Sequence, residues 1–583
     1  MTGTITLLSG STQLHSGQGS LGLLFECAPD AAVHRMYPGT LALDELIGDR
    51  EQIKTKAAAL ARTLLEAEPE HRGIRQLSVF EELVIRELQY LLHVKHLHDS
   101  LIARGFTSCV FPQAHRFAGL LTMYAAAQGS ALTVQSVVAT ETRGISSLQR
   151  SWQRLCKSRF SKPALGNEWE QVMTRLDPWQ RRKRWLPQPR VQQQGVWFYS
   201  TAWTFTRIGL LYEPFFPQPF NYLIDNPHTG GLPLAAQGRP FIAPACFGRH
   251  DMEPSARELH MVRTALRSHL QRVPLDEDEA VVRDAYLASE AFATFMDRLL
   301  PAGLFQTSLF ERFIRIARPA ALVTGNPVFE TYALVAARKA GIPTFLLQHG
   351  ILGDFCQFVD PPVDHYIVRG NFWAAFLAKS ARQRALILNP PESVPVASSG
   401  IALRRSVLFL TTPYMLQELL DDSDLEDIIA VLLKLCAEQQ AELIIRVHPL
   451  EAVGTYQNVV SKFATGTGDK VQVTYSQGAG METLLQRAAV AVTYASTAFL
   501  DCLRHQVPIV SFDWHDFSYK RQIGEAGVFH FSQDLVHLGT LTRQALQQQL
   551  PAYPGTTQDF LAPTAPADLR QQLHALIRQD AGA

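Results

Sequence analysis

In two stretches of the chain, short apolar runs alternate with helical periodicity, the pattern of parallel sheets wrapped by helices. In the first stretch, 320–324 reads as a buried strand, Gly325-Asn326-Pro327 as a turn, and 328–340 as a helix ended by Gly341. Strands at 342–347 and 364–368 follow, and then a helix over 372–381. In the second stretch, strands at 406–410, 443–447, 471–475, 490–494 and 508–512 are separated by helices that include 416–440, 481–487 and 497–504. About five strands with intervening helices in about 110 residues make a complete Rossmann-like domain.

The N-terminal third is patterned less regularly. A strand at 4–8, helices at 43–67 and 81–104, and strands at 108–111, 131–138, 195–199, 221–224 and 241–246 are expected. We read residues 1–400 as one elaborated α/β domain with insertions over about 150–310, and 401–583 as a second domain. The last helix, 566–579, lies beyond the second sheet and is placed to pack back on the first domain.

Composition narrows the class. The 583 residues are 46% apolar and 19% charged, as in a globular protein. Lysine plus arginine and aspartate plus glutamate each number 54, so no broad positive field supports nucleic-acid binding. The seven cysteines are scattered with no CxxC pair, which fits reduced thiols and gives no metal framework. Residues 1–10 lack the charged and apolar regions of a signal peptide, and the longest apolar run, 117–127, falls short of the ~20 residues that span a bilayer. A cytoplasmic protein is expected, with any membrane contact peripheral. The segment 150–190 is the place for such contact: Arg150, Arg154, Lys157, Arg181, Arg182, Lys183 and Arg184 interleave with Trp152, Trp179 and Trp185. Its plainer reading is a solvated basic face.

Candidate chemistry lies just after the strands, because ligands of open parallel sheets bind beyond the carboxyl ends. In Arg446-Val447-His448-Pro449 the proline stops the strand and leaves an imidazole at the rim, able to donate to a phosphate oxygen. After 471–475, Ser476-Gln477-Gly478-Ala479-Gly480 leads into a helix opening with Glu482-Thr483, a turn whose N–H groups suit an anion. After 490–494, Ala495-Ser496-Thr497 again opens a helix. Singly, these residues read as N-caps, a turn and a surface histidine. Their coincidence at neighbouring strand ends points to one phosphate- or diphosphate-sized site.

The first stretch has a parallel set. Strand 342–347 runs into Gln348-His349-Gly350, and Asp354 follows in the loop. An imidazole titrates near neutral pH and suits acid–base work. Asp354, Glu330 and Asp225 are the carboxylate candidates; Glu330 also reads as a complement to a helix dipole, and Asp354 as a turn residue. Asp276-Glu277-Asp278 and Asp422-Ser423-Asp424 open helices and read as caps rather than metal ligands. Gly17, Gly19 and Gly22 match GxGxxG only formally, with no helix opening at the third glycine. The aromatic run 212–222 either packs the insertion or lines an acceptor groove, with packing the safer reading.

The strings Gln348-His349-Gly350, Arg446-Val447-His448-Pro449 and 492–510, with Ser496-Thr497, Asp501 and Pro508, resemble bacterial surface-polysaccharide transferases over roughly residues 318–520. The nearest likenesses are to capsule and lipopolysaccharide Kdo or sialic acid transferases and to CDP-glycerol glycerophosphotransferases. The resemblance implies an α/β, GT-B-like fold, two Rossmann-like domains facing across a cleft, the N-terminal one bearing large insertions. It implies a transferase moving Kdo or a related acidic sugar from a cytidine nucleotide, a substrate rather than a cofactor, to a glycan or glycolipid acceptor. Arg446, His448, Pro449, Gly480, Glu482, Thr483, Ser496 and Thr497 would hold the donor. His349, Asp354 and Glu330 would be catalytic, and Asn326, Gly350 and Asp225 would lie on the acceptor side. No metal is implied, since helix N-termini and side chains stabilise the leaving phosphate. Val492-Thr493-Tyr494 departs from the acidic pattern usual before the Ser pair, which leaves the base open. A glycerol- or ribitol-phosphate transferase, a sugar-nucleotide epimerase and a non-catalytic assembly partner are the alternatives.

Overall fold

A computed structural model describes residues 3–8, 21–25, 40–42, 48, 50–71, 74–112, 116–137, 194–201, 203–225, 234–235, 237–248, 252–325, 330–348, 350, 352, 361–380, 385–390, 405–412, 422–448, 451–463, 471–477, 480–494, 498–512, 523–524, 526–532, 534–553 and 559–580. The basic segment 150–190 and the glycine- and serine-rich loop 9–20 lie outside them.

Three all-parallel sheets follow one another along the chain. The first contains β1 (Gly3–Leu8), β2 (Leu21–Phe25), β3 (Thr40–Ala42), β4 (Phe106–Pro112) and β5 (Thr133–Val137), in the order β3-β2-β1-β4-β5. The second contains β6 (Val196–Ser200), β7 (Phe220–Ile224), β8 (Phe241–Ile242), β9 (Ala321–Thr324), β10 (Thr344–Leu347), β11 (His365–Val368) and β12 (Ala385–Ile387), in the order β12-β11-β10-β9-β6-β7-β8. The third contains β13 (Ser406–Leu410), β14 (Glu442–Arg446), β15 (Val473–Ser476), β16 (Ala488–Thr493), β17 (Ile509–Phe512) and β18 (His530–Ser532), in the order β15-β14-β13-β16-β17-β18. Each is doubly wound: from its first strand the chain builds one way, then returns and builds the other. The switch points fall between β1 and β4, β6 and β9, and β13 and β16. The central strands are apolar on both faces, as a parallel sheet covered by helices requires; every residue of β13 and β16 is buried.

Residue contacts divide the chain into two compact units, 1–186 with 248–309, and 187–247 with 310–583. The sequence pattern placed a boundary near 400 and treated 150–310 as one insertion; these contacts draw different lines. In the first unit, residues 248–309 belong with the N-terminal sheet's helices: His71 meets Glu258 at 3.0 Å and Lys95 meets Asp278 at 3.1 Å. Asp276 caps the helix Glu277–Ala288 by accepting from Glu279 N–H at 2.7 Å, the plain reading of that acidic string.

In the second unit, the second and third sheets share a core. Leu346, Tyr366, Trp373 and Phe376 pack in one cluster with Leu408, Ile444, Ala491, Phe499 and Phe560. The last helix, Pro566–Asp580, buries Leu569, Leu573 and Ile577 against Phe198, Val323 and Phe345 of the second sheet. The same core takes Tyr212, Phe216, Phe220 and Tyr222, so the aromatic run 212–222 is packing. The α/β class with Rossmann-like sheets thus stands as expected. Among the described residues no helix is long and apolar enough to cross a membrane.

One contact fixes how the strand end of β11 meets the C-terminal segment. Phe560 lies 4.8 Å from Phe372 and 5.7 Å from Phe499 between ring centroids, and Ala562 N–H donates to the Arg369 carbonyl at 2.7 Å. A Cβ on Gly370 would stand 2.5 Å from the Phe560 carbonyl carbon and 2.6 Å from Asp559 O. Backbone cannot yield as a flexible side chain does, so Gly370→Ala is expected to destabilise by about 1–3 kcal/mol. Gly454→Ala, with open space around it in the helix Val453–Ser461, is expected to be neutral or to stabilise by about 0.5–1 kcal/mol. Denaturant midpoints of the two variants check this.

Candidate active site

The third sheet gathers polar groups at its carboxyl edge. β14 ends at Arg446, whose Nη1 donates to Ser476 Oγ of β15 at 2.7 Å. Val447 N–H donates to the Ser476 carbonyl at 2.8 Å, so the two ends stay in register past the ladder. His448 follows, half-buried, its backbone N–H donating to Thr411 Oγ1 at 2.8 Å. Thr411 follows β13 and is buried; its hydroxyl donates to Glu451 Oε2 at 2.8 Å, and Tyr456 donates to the same oxygen at 2.7 Å. Gln477 Nε2 donates to the carbonyls of His448 and Glu451 at 3.0 and 2.9 Å. The loop carrying His448 is therefore tied from β13, from β15 and from the helix Val453–Ser461. Burial pushes the His448 imidazole below its ordinary value of 6.5, so it is neutral at pH 7 and donates one N–H. Arg446, also lowered by burial, keeps its charge.

Gly480 precedes the helix Met481–Arg487 with φ of 95°, a left-handed conformation that favours glycine. Glu482 and Thr483 are exposed on that helix, and neither makes a hydrogen bond to His448 or Arg446 among the described residues. At the switch point, the hydroxyls of Thr412, after β13, and Thr493, at the end of β16, are buried with no hydrogen-bond partner among the described residues. Pro449, Ser496 and Thr497 lie outside the described residues.

In the second sheet, Glu330 is 0% exposed and sits at the switch point between β6 and β9. One carboxylate oxygen accepts from Thr201 N–H and Oγ1 at 3.1 and 3.3 Å, the other from Gly325 N–H at 2.9 Å. Thr201 follows β6 and Gly325 follows β9, so this one carboxylate ties both strand ends. Asp225, after β7, is half-exposed, and its N–H donates to the Ser200 carbonyl at 3.0 Å. Burial, and then the charges of Asp225 and Glu330, push the Tyr199 phenol far up, which places both carboxylates near the end of β6. Gly350 is buried and its carbonyl accepts from Gln348 Nε2 at 2.8 Å. His349, Asp354 and Asn326 lie outside the described residues. Among the described residues no group of three or more His, Cys, Asp or Glu side chains is placed to hold a metal ion.

The strand-end rule had the means to find Thr411 and Thr412, since both follow a strand that is plain in the sequence. Arg369 and Gln348 were also missed as a pair: Arg369 N–H donates to Gln348 Oε1 at 2.9 Å, and its Nε donates to the Gln348 carbonyl at 3.2 Å. Only the adjacency of β10 and β11 brings them together.

Residues 419–519 match the family of capsule polysaccharide biosynthesis proteins. No curated protein matches the chain. Similar solved structures include S. aureus MnaA with UDP, at 8% identity over 67% of this chain and 97% of that one, TM-score 0.42. Others are the Methanocaldococcus jannaschii UDP-GlcNAc 2-epimerase with UDP-GlcNAc and UDP, at 9% over 66% and 100%, TM-score 0.42, and Acinetobacter baumannii MurG, at 11% over 66% and 99%, TM-score 0.37.

Two outcomes are expected from the tied loop. Thr411→Val removes the acceptor for His448 N–H and the donor to Glu451, and should cost about 1–3 kcal/mol of stability, read from chemical denaturation. The His448 ring should titrate below 6.5 by proton NMR. Its folded value lies below its unfolded one, so the stability it contributes is full above pH 6.5 and is lost as pH falls through the folded value. His448→Gln should flatten that acid-side loss; a midpoint at or above 6.5 contradicts the burial effect.

Proposed function

We propose that the chain is a glycosyltransferase of surface-polysaccharide biosynthesis. In this reading it takes Kdo or a related acidic sugar from a cytidine nucleotide and passes it to a growing glycan. The carrying observation is a coincidence of place. The segment matching the capsule family, 419–519, spans β14 to β17 and contains Arg446, His448 and Gly480. Those residues stand at the strand ends where a doubly wound sheet binds ligands.

In the proposed reaction an acceptor hydroxyl attacks the anomeric carbon, and the bond from that carbon to the donor phosphate oxygen breaks. Negative charge gathers on the leaving phosphate. The charge of Arg446, whose guanidinium donates to Ser476, and the ring N–H of neutral His448, whose backbone is tied to Thr411, oppose it. Ser496 and Thr497 would stand beside the same phosphate, with Pro449 shaping the loop and Gly480, Glu482 and Thr483 bordering the nucleotide. The proton of the acceptor hydroxyl goes to a base, for which we propose His349 with Asp354. Glu330 belongs to the site as a positioning residue, since its carboxylate already takes three hydrogen bonds. Asn326, Gly350 and Asp225 would border the acceptor. Side-chain and backbone donors, rather than a metal, stabilise the leaving group in this reading. A lipid-linked acceptor would bring the protein to the inner face of the cytoplasmic membrane, with 150–190 as the docking segment.

The test is nucleotide release by the purified chain from CMP-Kdo, CDP-glycerol and UDP-sugars, with and without acceptor glycan. CMP release that depends on acceptor is expected, and His448→Ala should lower kcat/KM by about 10²-fold or more and weaken CMP binding. Transfer near wild type in that variant would overturn the donor site. Conversion of a UDP-sugar with no acceptor present would identify an epimerase instead.

A further inference from the structure

We propose that the hydroxyls of Thr412 and Thr493 form a second contact of the donor site, holding a sugar hydroxyl of the bound donor across the switch point from Arg446. That hydroxyl belongs to the ribose or to the transferred sugar. The assignment of this contact to the donor rests on the reading that Arg446 and His448 meet the donor phosphate.

Strand register places these groups. Arg446 pairs with Leu410, and Leu410 with Thr493, so the ends of β14, β13 and β16 lie in one row. Ser476 of β15 and Ser511 of β17 extend the row on either side. Register partners in a parallel sheet point to one face. Leu410 packs in the core shared with the second sheet, as do Leu408, Ile444 and Ala491. Phe409, Ile445 and Val492 lie in the core on the opposite face. Thr493 therefore stands on the same face as Arg446. Thr411 meets Glu451, whose other donor, Tyr456, belongs to the opposite core. Alternation then carries Thr412 back to the face of Leu410, one step beyond it.

The other polar groups of this row are met. Arg446 Nη1 donates to Ser476 Oγ at 2.7 Å, and Ser511 Oγ donates to the Tyr494 carbonyl at 2.7 Å. Thr493 is 0% exposed, yet its hydroxyl has no hydrogen-bond partner among the described residues, and the buried hydroxyl of Thr412 has none among them either. Buried hydroxyls in native proteins are nearly always paired, because an unmet one costs stability. Two of them on one face of a switch point, where open sheets bind ligands, are groups left for a ligand to meet.

Spacing sets which part of the donor this is. Neighbouring strands lie about 4.8 Å apart, so the backbones of Arg446 and Thr493, with β13 between them, stand about 10 Å apart. Arg446 leans the other way, toward Ser476 of β15. One phosphate held at Arg446 and His448 therefore does not reach Thr493, and the oxygen met there is a different one. A threonine hydroxyl both donates and accepts, which matches a sugar hydroxyl that does the same. Each Thr–sugar pair then satisfies both partners where water is excluded, and a donor lacking the sugar hydroxyl leaves the threonine unmet.

The experiment is isothermal titration of the full chain with CMP and 2′,3′-dideoxy-CMP, together with the donor KM for CMP-Kdo, in the wild type, Thr412→Val, Thr493→Val and Thr493→Ser. Valine keeps the shape and removes the hydroxyl; serine keeps the hydroxyl. Each valine variant should weaken donor binding about tenfold. It should also leave the denaturation midpoint of the free protein equal or higher, because an unmet buried hydroxyl has gone. Thr493→Ser should reverse the pattern, with affinity within about twofold and a lower midpoint from the lost methyl. Weaker CMP binding with dideoxy-CMP unaffected names the ribose. Unchanged CMP binding with the KM for CMP-Kdo raised about tenfold names the transferred sugar. CMP affinity and KM both unchanged, equal weakening of CMP and dideoxy-CMP, or a lower midpoint in the valine variants would overturn the proposal. Failure of the donor reading shows separately: His448→Ala would then leave CMP affinity unchanged, whatever the threonine variants do.

Discussion

Where a doubly wound sheet switches direction, two neighbouring strand ends part, and their backbone N–H groups lose the ladder partners they would otherwise have. An unmet buried donor costs about 1–3 kcal/mol, so something must accept from those groups. In the second sheet the acceptor is Glu330, which takes the N–H groups of Thr201 and Gly325 with its two oxygens. In the third sheet a like tie joins the ends of β13 and β14, beside the switch point: Thr411 takes the His448 N–H and donates its own hydroxyl to Glu451. The same requirement that keeps the fold stable thus fixes the loops on which the candidate chemistry stands. The backbone of the His448 loop is held from three directions, which in the proposed reaction aims the imidazole at the leaving phosphate.

The parts of this plan that depend on local pattern were legible in the sequence. β13, β14 and β16 are short apolar runs buried on both faces, and the rule that chemistry follows strands located Arg446 and His448 from order alone. What depends on strand adjacency was not. Glu330 reads as a helix-start carboxylate until β6 and β9, paired at Trp197 and Leu322 across 125 residues of chain, are seen to be neighbours; sequence spacing gives no sign of it. The pairing of Arg369 with Gln348 hides for the same reason. β3, β12 and β18 have three residues each, too few for a period to show. The first unit is discontinuous, built from 1–186 and 248–309, and a boundary sought as one break in composition cannot represent that.

The central claim is that the strand ends of β13 to β16 hold a nucleotide phosphate. A crystal soaked with CMP tests it most directly. The expected result is phosphate density within hydrogen-bond distance of the His448 imidazole and the Arg446 guanidinium. CMP bound elsewhere in the chain with these two side chains untouched, or no CMP bound at a concentration saturating in solution, would contradict the account.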